Sequence, residues 1–161
     1  MLPSSNPSAH KNTSIDTNIE SPIYRAVIKS LADTKTWLFV PATRIDRVEK
    51  AFASGADAVI VDLEDAVAQA DKAQARAALK AYYAAEHEAQ SYRPFWLRIN
   101  QASSAEFAKD LALCQQLPKL AGVLLAKAEQ AADIEKVNQE TGLPVIAVIE
   151  NAIGLYRADE I

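Results

Sequence analysis

One cysteine stands among the 161 residues, so no disulfide can close within the chain and no cysteine cluster can hold a metal. That residue, Cys114, lies inside Leu111-Ala112-Leu113-Cys114. It reads as packing rather than as a reactive thiol, because free cysteine is commonly buried. Apolar runs long enough to cross a bilayer are missing, and Met1 to Pro22 lacks the basic start and apolar block of a secretion signal. The expectation is a cytoplasmic protein with no membrane partner. Positive charge is not in surplus either, the formal net charge being −4. An extended nucleic-acid surface is therefore not expected, although a local cationic pocket for a small anion is compatible with that balance. Histidine is scarce: His10 sits in a polar tail and His87 near the end of a helical stretch, and both read as solvated groups.

What is present is a large apolar fraction, half of the residues, which is enough for the core of one domain. Residues 1–21 are rich in Ser, Asn, Thr and Pro without apolar periodicity and read as a disordered tail. Residues 22–161 alternate short β-type runs with longer Ala-rich helical segments, the pattern of parallel strands joined by crossover helices. The strands expected are Trp37–Val40, Ala58–Asp62, Phe95–Ile99, Gly122–Ala126 and Val145–Ile149. Helices are expected to begin near Ile45, Asp71, Ser104, Ala131 and Ala152, with a leading helix over Ile23–Ala32. Gly55-Ala56-Asp57 and Gly142-Leu143-Pro144 punctuate helix ends before strands. In the long helix Lys72–Ala85, capped by Asp71, the residues Ala75, Ala78, Leu79, Tyr82 and Tyr83 form an apolar stripe, and Lys72, Arg76, Lys80 and Glu86 are expected to face water.

Every strand exits into polar residues: Pro41 to Arg44, then Asp62, Glu64 and Asp65, then Arg98 and Asn100, then Lys127 and Glu129, then Glu150 and Asn151. Side chains alternate along a strand, so Arg98 and Asn100 share a face and Glu150 continues the face of Ile146 and Val148. In parallel α/β folds the carboxyl ends of the strands form the ligand-binding mouth. A carboxylate such as Glu150 beyond an apolar strand needs a partner. A hard cation such as Mg²⁺ would supply one, and so would a salt bridge to Arg98 or Lys127. Arg98 could hold a substrate carboxylate through two parallel charge-assisted hydrogen bonds. Arg44, Arg47 and Lys50 make a short cationic patch that reads either as a phosphate-holding site or as a solvated helix face.

These residues also carry a family likeness. Phe39-Val40-Pro41-Ala42-Thr43-Arg44, followed by Gly55-Ala56-Asp57-Ala58-Val59-Ile60-Val61-Asp62-Leu63-Glu64-Asp65-Ala66-Val67, resembles the opening of citrate lyase β subunits and their relatives in the HpcH/HpaI aldolase family. Leu97-Arg98-Ile99-Asn100, Leu125-Ala126-Lys127-Ala128-Glu129 and Ile146-Ala147-Val148-Ile149-Glu150-Asn151 are similar to the family's third, fourth and fifth strands, in order. The resemblance covers nearly everything from Thr36 onward.

It implies an α/β fold, a partial TIM (β/α)8 barrel with about five βα units and the C-terminal strands missing. The implied activity is a Mg²⁺-dependent carbon–carbon lyase acting on acyl-CoA esters such as citryl-, malyl- or related 3-hydroxyacyl-CoA, or on an oxo-acid, with the metal polarising a keto oxygen. On the same resemblance, Arg98 and Glu150 are the catalytic pair, Glu150 the metal ligand, and Phe39, Arg44 and Lys50 contacts for the acyl-CoA. Glu64 and Asp65 either order the water network near the metal or cap a helix. Pyruvate-type aldolases of the family resemble Gly-Glu-His-Ala after the second strand. Leu63-Glu64-Asp65-Ala66 lacks that histidine, which favours the CoA-ester branch. Departures from the family pattern are Ala126, Asn151 and Ile153. The family's second metal-ligating aspartate follows a sixth strand that this sequence does not contain, and a closed barrel takes roughly 200 residues or more. The expectation is a chain that alone is unstable or self-associating and inactive, and a homo-oligomer when full length. A non-catalytic half-barrel that binds CoA esters or a partner subunit is the alternative from another class.

Overall fold

The computed structural model describes residues 31–84, 94–117 and 120–161. The tail over 1–21 with His10, most of the leading helix, Glu86 and His87 lie outside them. Residues 31–33 are helical. Five strands follow: β1 (Trp37–Pro41), β2 (Ala58–Asp62), β3 (Phe95–Ile99), β4 (Leu120–Leu125) and β5 (Val145–Ala147). They form one parallel sheet in the order β1-β2-β3-β4-β5. The helices between them are α1 (Val48–Ala53), α2 (Lys72–Ala84), α3 (Phe107–Cys114) and α4 (Ala131–Thr141), and α5 (Ala152–Tyr156) follows β5. Sequential strand order with a helix at each crossover is the arrangement of a (β/α) barrel wall.

Both faces of the sheet are apolar, which is why its strands read as continuous hydrophobic runs rather than alternating ones. Val59, Val61, Leu97, Ile99, Val123 and Leu125 pack under the helices with Val48, Leu79, Leu111 and Val137. Each fully buried side chain of this size contributes about 1.5–3 kcal/mol. Tyr83 of α2 stacks on Phe95 of β3, centroids 4.2 Å apart and planes at 7°. Cys114 belongs to this layer, and burial pushes its thiol up to about 12, in keeping with a packing role.

The opposite face carries Ala58, Ile60, Trp96 and Leu124, with Trp37, Ile146 and Val148 packed against them. Trp37 meets Trp96 edge-on at 5.5 Å. The β3–β4 register slips between Phe95 and Trp96, so that Gly122 faces Trp96. A Cβ on Gly122 would lie 2.2 Å from the Trp96 ring, so only glycine lets the indole lie flat there. Gly142 closes α4 with φ +67, the left-handed conformation expected of a helix-ending glycine.

Several boundaries move. Beyond Ala147, backbone bonds to the neighbouring strand persist through Val148, but the regular strand ends there, and β4 starts two residues earlier than expected, at Leu120. The helix after β2 is entered through a short 3-10 turn, Gln69–Asp71, whose cap position is Ala68, with no side-chain cap bond. Lys72 and Arg76 do not face water. Lys72 is buried and its Nζ donates to the carbonyls of Leu63 (2.7 Å) and Glu64 (2.8 Å). Arg76 pairs with Glu106 (2.5 Å) and Asp110 (2.9 Å). Helical periodicity places both beside the apolar stripe. What turns them inward is that the β2 exit loop and α3 present oxygen acceptors over α2, which no local pattern encodes.

Candidate active site

The register sets the level of the strand tips. Asp62 pairs with Arg98 across β2 and β3, Arg98 with Leu124 across β3 and β4, and Leu124 with Ile146 across β4 and β5. Asp62 and Arg98 therefore continue the face of Ile60 and Trp96, away from the helices. Glu150, four residues beyond Ile146, arrives at the same opening. Its Oε1 lies 3.6 Å from Arg98 Nη1. The structure thus brings Arg98 and Glu150 together.

Arg98 is the centre of the mouth. Its Nε donates to Asp62 Oδ1 (2.8 Å) and its Nη2 to Asp62 Oδ2 (2.6 Å), a two-pronged bond. Nη1 faces Glu64 Oε2 at 3.4 Å. The guanidinium carbon stands 5.1 Å above the Phe39 ring, within cation–π range. Hydrogen bonding to Asp62 raises the Arg98 pKa still further above its ordinary value, so the side chain is a fixed cation.

Asp62 does more than pair with Arg98. The same carboxylate accepts the backbone N–H of Glu64 (2.8 Å) and of Ala66 (3.1 Å), shaping the loop after β2. The helix-capping role considered for Glu64 and Asp65 is not what the structure has. Asp65 N–H donates to Glu64 Oε2 (2.9 Å), and both carboxylates receive Lys127 Nζ, Asp65 at 3.2 Å and Glu64 by a close contact. The hydrogen bond from Lys127 is the largest cause holding the Asp65 carboxyl below its usual range. The Lys127 pKa is raised, chiefly by Glu64. Lys127 adopts φ +49, an uncommon backbone for a lysine that aims it across the opening rather than toward Glu150.

A cleft of about 320 Å³ opens beside this cluster, lined by Glu64, Asp65, Lys72, Asn100, Ser104 and Lys127 among others. Asn100 is at its wall but is committed: its backbone N–H and side-chain amide both donate to Asp110 Oδ2 (3.0 and 2.6 Å), and the amide also donates to the Leu63 carbonyl (3.2 Å). A second groove of about 450 Å³ runs along Phe39, Arg44, Arg47 and Lys50. There Arg44 is paired with Asp46 through two bonds (3.0 and 2.9 Å) on the exposed surface. Phe39, 46% exposed, lines this second groove and also stands against the Arg98 guanidinium.

Of the site residues read from sequence, Arg98, Glu150, Glu64, Asp65 and Phe39 gather within one mouth, and Arg44 and Lys50 lie along the adjoining groove. Two members were not picked out. Asp62 was noted as a strand exit and Lys127 as a strand exit and one of two salt-bridge partners for Glu150, and neither was named as a site residue. The signal for Asp62 was available: a carboxylate ending a run buried on both faces needs a buried cation, and Arg98 is the strand-borne one.

Among the described residues no three His, Cys, Asp or Glu side chains gather as a metal cluster. The cation-binding chemistry on offer is narrower. Both oxygens of Asp62 and of Glu64 are engaged, whereas among the described residues Glu150 is held only by the 3.6 Å approach to Arg98, and its side chain is 28% exposed. Among the described residues no helix is long and apolar enough to cross a membrane.

The model of the HpcH/HpaI aldolase/citrate lyase family matches residues 35–161. A citrate lyase subunit beta-like protein of Mycobacterium tuberculosis is 41% identical over 130 residues, 78% of this chain and 42% of the relative. A (3S)-malyl-CoA thioesterase of Cereibacter sphaeroides is 35% identical over 125 residues, 77% of this chain and 43% of the relative. The crystal structure of protein CitE from Mycobacterium tuberculosis in complex with magnesium, acetoacetate and coenzyme A is similar with a TM-score of 0.65 and 38% identity. That match covers 79% of this chain and 44% of that one. The chain spans less than half the length of these relatives, and its five parallel strands in sequential order form part of a TIM barrel. With the βα order, the polar strand tips and the family model in agreement over residues 35–161, the chain belongs to the HpcH/HpaI aldolase/citrate lyase family.

Proposed function

We propose that this mouth is the substrate site of a Mg²⁺-dependent carbon–carbon lyase acting on acyl-CoA thioesters of the citryl-, malyl- or related 3-hydroxyacyl kind. One observation carries the reading. Four carboxylates, Asp62, Glu64, Asp65 and Glu150, surround two cations, Arg98 and Lys127. An anionic oxo-acid would be repelled by that excess of negative charge, and one divalent cation would cancel it. Glu150 has the spare oxygen lone pairs. Mg²⁺ takes one or two protein carboxylates and completes its shell with water and substrate oxygens, so a single available glutamate fits it. That the Mycobacterium tuberculosis relative was crystallised with magnesium, acetoacetate and coenzyme A supports a magnesium-dependent reading of the site. Bound at Glu150, the ion supplies Lewis acidity toward the oxygen on the carbon where the bond is cleaved.

The chain's own residues do the rest. Arg98 attracts and orients the carboxylate of the oxo-acid fragment, on a guanidinium that Asp62 and Phe39 hold still. Arg44 and Lys50 offer positive charge along the second groove, where the phosphate groups of CoA would run. Glu64, Asp65 and Lys127 fix one wall and its water. In the cleavage direction the 3-hydroxyl proton is removed and the C2–C3 bond breaks. Its electron pair passes into the thioester as an enolate, and a proton returns to C2. The products are an acyl-CoA and an oxo-acid, with no oxidant or reductant required. Asp65, ionised and tied to Lys127, stands where pyruvate-type aldolases resemble a proton-transferring histidine, and this disfavours that branch. The test is a Mg²⁺-dependent cleavage assay with several 3-hydroxyacyl-CoA thioesters on the complete reading frame, set against Arg98→Ala and Glu150→Ala. Losses of at least about 100-fold in kcat/KM are expected for each, the scale of removing a positioned electrostatic group. Equal rates in all three proteins would refute the assignment.

A further inference from the structure

Nothing in the sequence or the family comparison gives Asp62 a role in the reaction. Yet it is 1% exposed and spends both oxygens on Arg98 and the β2 exit loop. We infer that Asp62 is the positioning residue of the site: it decides which edge of the Arg98 guanidinium faces the mouth, and through that edge how the oxo-acid carboxylate lies. This rests on the reading of Arg98 as the substrate-binding arginine.

A guanidinium has five N–H donors in a planar fork. Asp62 takes the Nε donor and one on Nη2, which consumes the side-on edge completely. The remaining donors are on Nη1 and the far side of Nη2. Nη1 stands 3.4 Å from Glu64 and 3.6 Å from Glu150, too long for strong hydrogen bonds, so those carboxylates are electrostatic neighbours and not occupants. The end-on edge is thereby left to an incoming anion, pointing into the gap between Glu64 and Glu150. The Phe39 ring at 5.1 Å covers one face of the guanidinium and resists tilting. In-plane and out-of-plane rotation are both restrained, which is the condition for orienting a ligand rather than merely attracting it. A purely structural Asp62 would tie β2 to β3 and no more. The added claim is that the direction of the free edge matters to one half of the substrate only.

The experiment uses the protein from the complete reading frame, with Asp62→Asn as the charge-removing variant and Asp62→Glu as a second that keeps the charge. Arg98→Lys identifies the Arg98 signal. In ¹⁵N-edited NMR the Arg98 Nε–H should give a resolved, slowly exchanging peak in the parent, and this peak should be lost in Asp62→Asn. In the condensation direction, Asp62→Asn should raise KM for the oxo-acid about tenfold and leave KM for the thioester within about twofold, since only one substrate half meets the free edge. Asp62→Glu should recover part of the oxo-acid loss. A parent Nε–H that exchanges as fast as free arginine overturns the inference, whether or not either variant folds. So does a lost peak with both KM values unchanged, or an equal rise in both. If Arg98→Lys leaves the oxo-acid KM unchanged while the Nε–H behaves as described, the substrate role of Arg98 is what fails, and the positioning role falls with it.

Discussion

Asp110 is the residue whose loss should cost the fold most per atom removed. It is fully buried and sits in α3, and its carboxylate receives Arg76 Nη1 (2.9 Å), the Asn100 backbone N–H (3.0 Å) and the Asn100 amide (2.6 Å). Asp110→Ala leaves two Asn100 donors without their acceptor and a guanidinium, 12% exposed, with Glu106 as its remaining ion-pair partner. Three hydrogen bonds to a charged acceptor at about 1.5–3 kcal/mol each would sum to about 4.5–9 kcal/mol, comparable with the whole stability of many domains, so simple addition overcounts. The measured range for breaking a buried pair from one side, about 3–5 kcal/mol, is the better figure. At about 2–4 °C per kcal/mol this lowers Tm by about 6–20 °C. Urea unfolding followed by Trp37 and Trp96 fluorescence, with thermal unfolding in parallel, is the assay. Arg76→Met should cost less, about 1–3 kcal/mol, because Asp110 keeps both Asn100 donors. The double variant Arg76→Met/Asp110→Ala should fall short of the sum of the singles by about 0.5–3 kcal/mol. A cost below about 1 kcal/mol for Asp110→Ala would refute the claim that this network holds the β3 exit.

Three further outcomes follow from the same structure. Gly122→Ala sets a methyl against the Trp96 ring at 2.2 Å and should destabilise by about 1–3 kcal/mol, measured by the same urea titration. Glu106, held by Lys109 and Arg76, has its carboxyl pulled down to about 2. A depressed folded-state pKa means its stabilisation is complete above its ordinary value near 4.5 and is lost as pH falls from there toward about 2, so Glu106→Gln should flatten the acid limb of a Tm-against-pH curve over that window. Cys114, its thiol pushed up to about 12 by burial, should resist iodoacetamide at pH 8 in the folded chain and react at once in denaturant.

The strands and most helix starts were legible because they rest on local physics: apolar runs of strand length, a left-handed glycine at Gly142 and polar residues at each exit. Convergence of Arg98 and Glu150 was legible too, since side-chain alternation and parallel order together fix which tips share a face. Lys72 and Arg76 were not. A lysine or arginine at a helix border reads as solvated unless the acceptors above it are known, and those acceptors come from residues up to 34 positions away. Lys127 illustrates the same limit in the backbone: its positive φ leaves no trace in composition, yet it directs the ammonium to Glu64 and Asp65. Asp62 fell between the two cases, its need for a cation readable and its two-pronged grip on Arg98 not.

The account stands on Glu150 as a cation ligand beside an arginine reserved for an anion. Mn²⁺ titration followed by water-proton relaxation tests this directly, on the protein from the complete reading frame and on its Glu150→Gln variant. Binding should weaken at least about tenfold in Glu150→Gln, equivalent to about 1.4 kcal/mol, and an added oxo-acid should tighten binding in the parent only. Equal Mn²⁺ affinity in the two proteins would contradict the central claim.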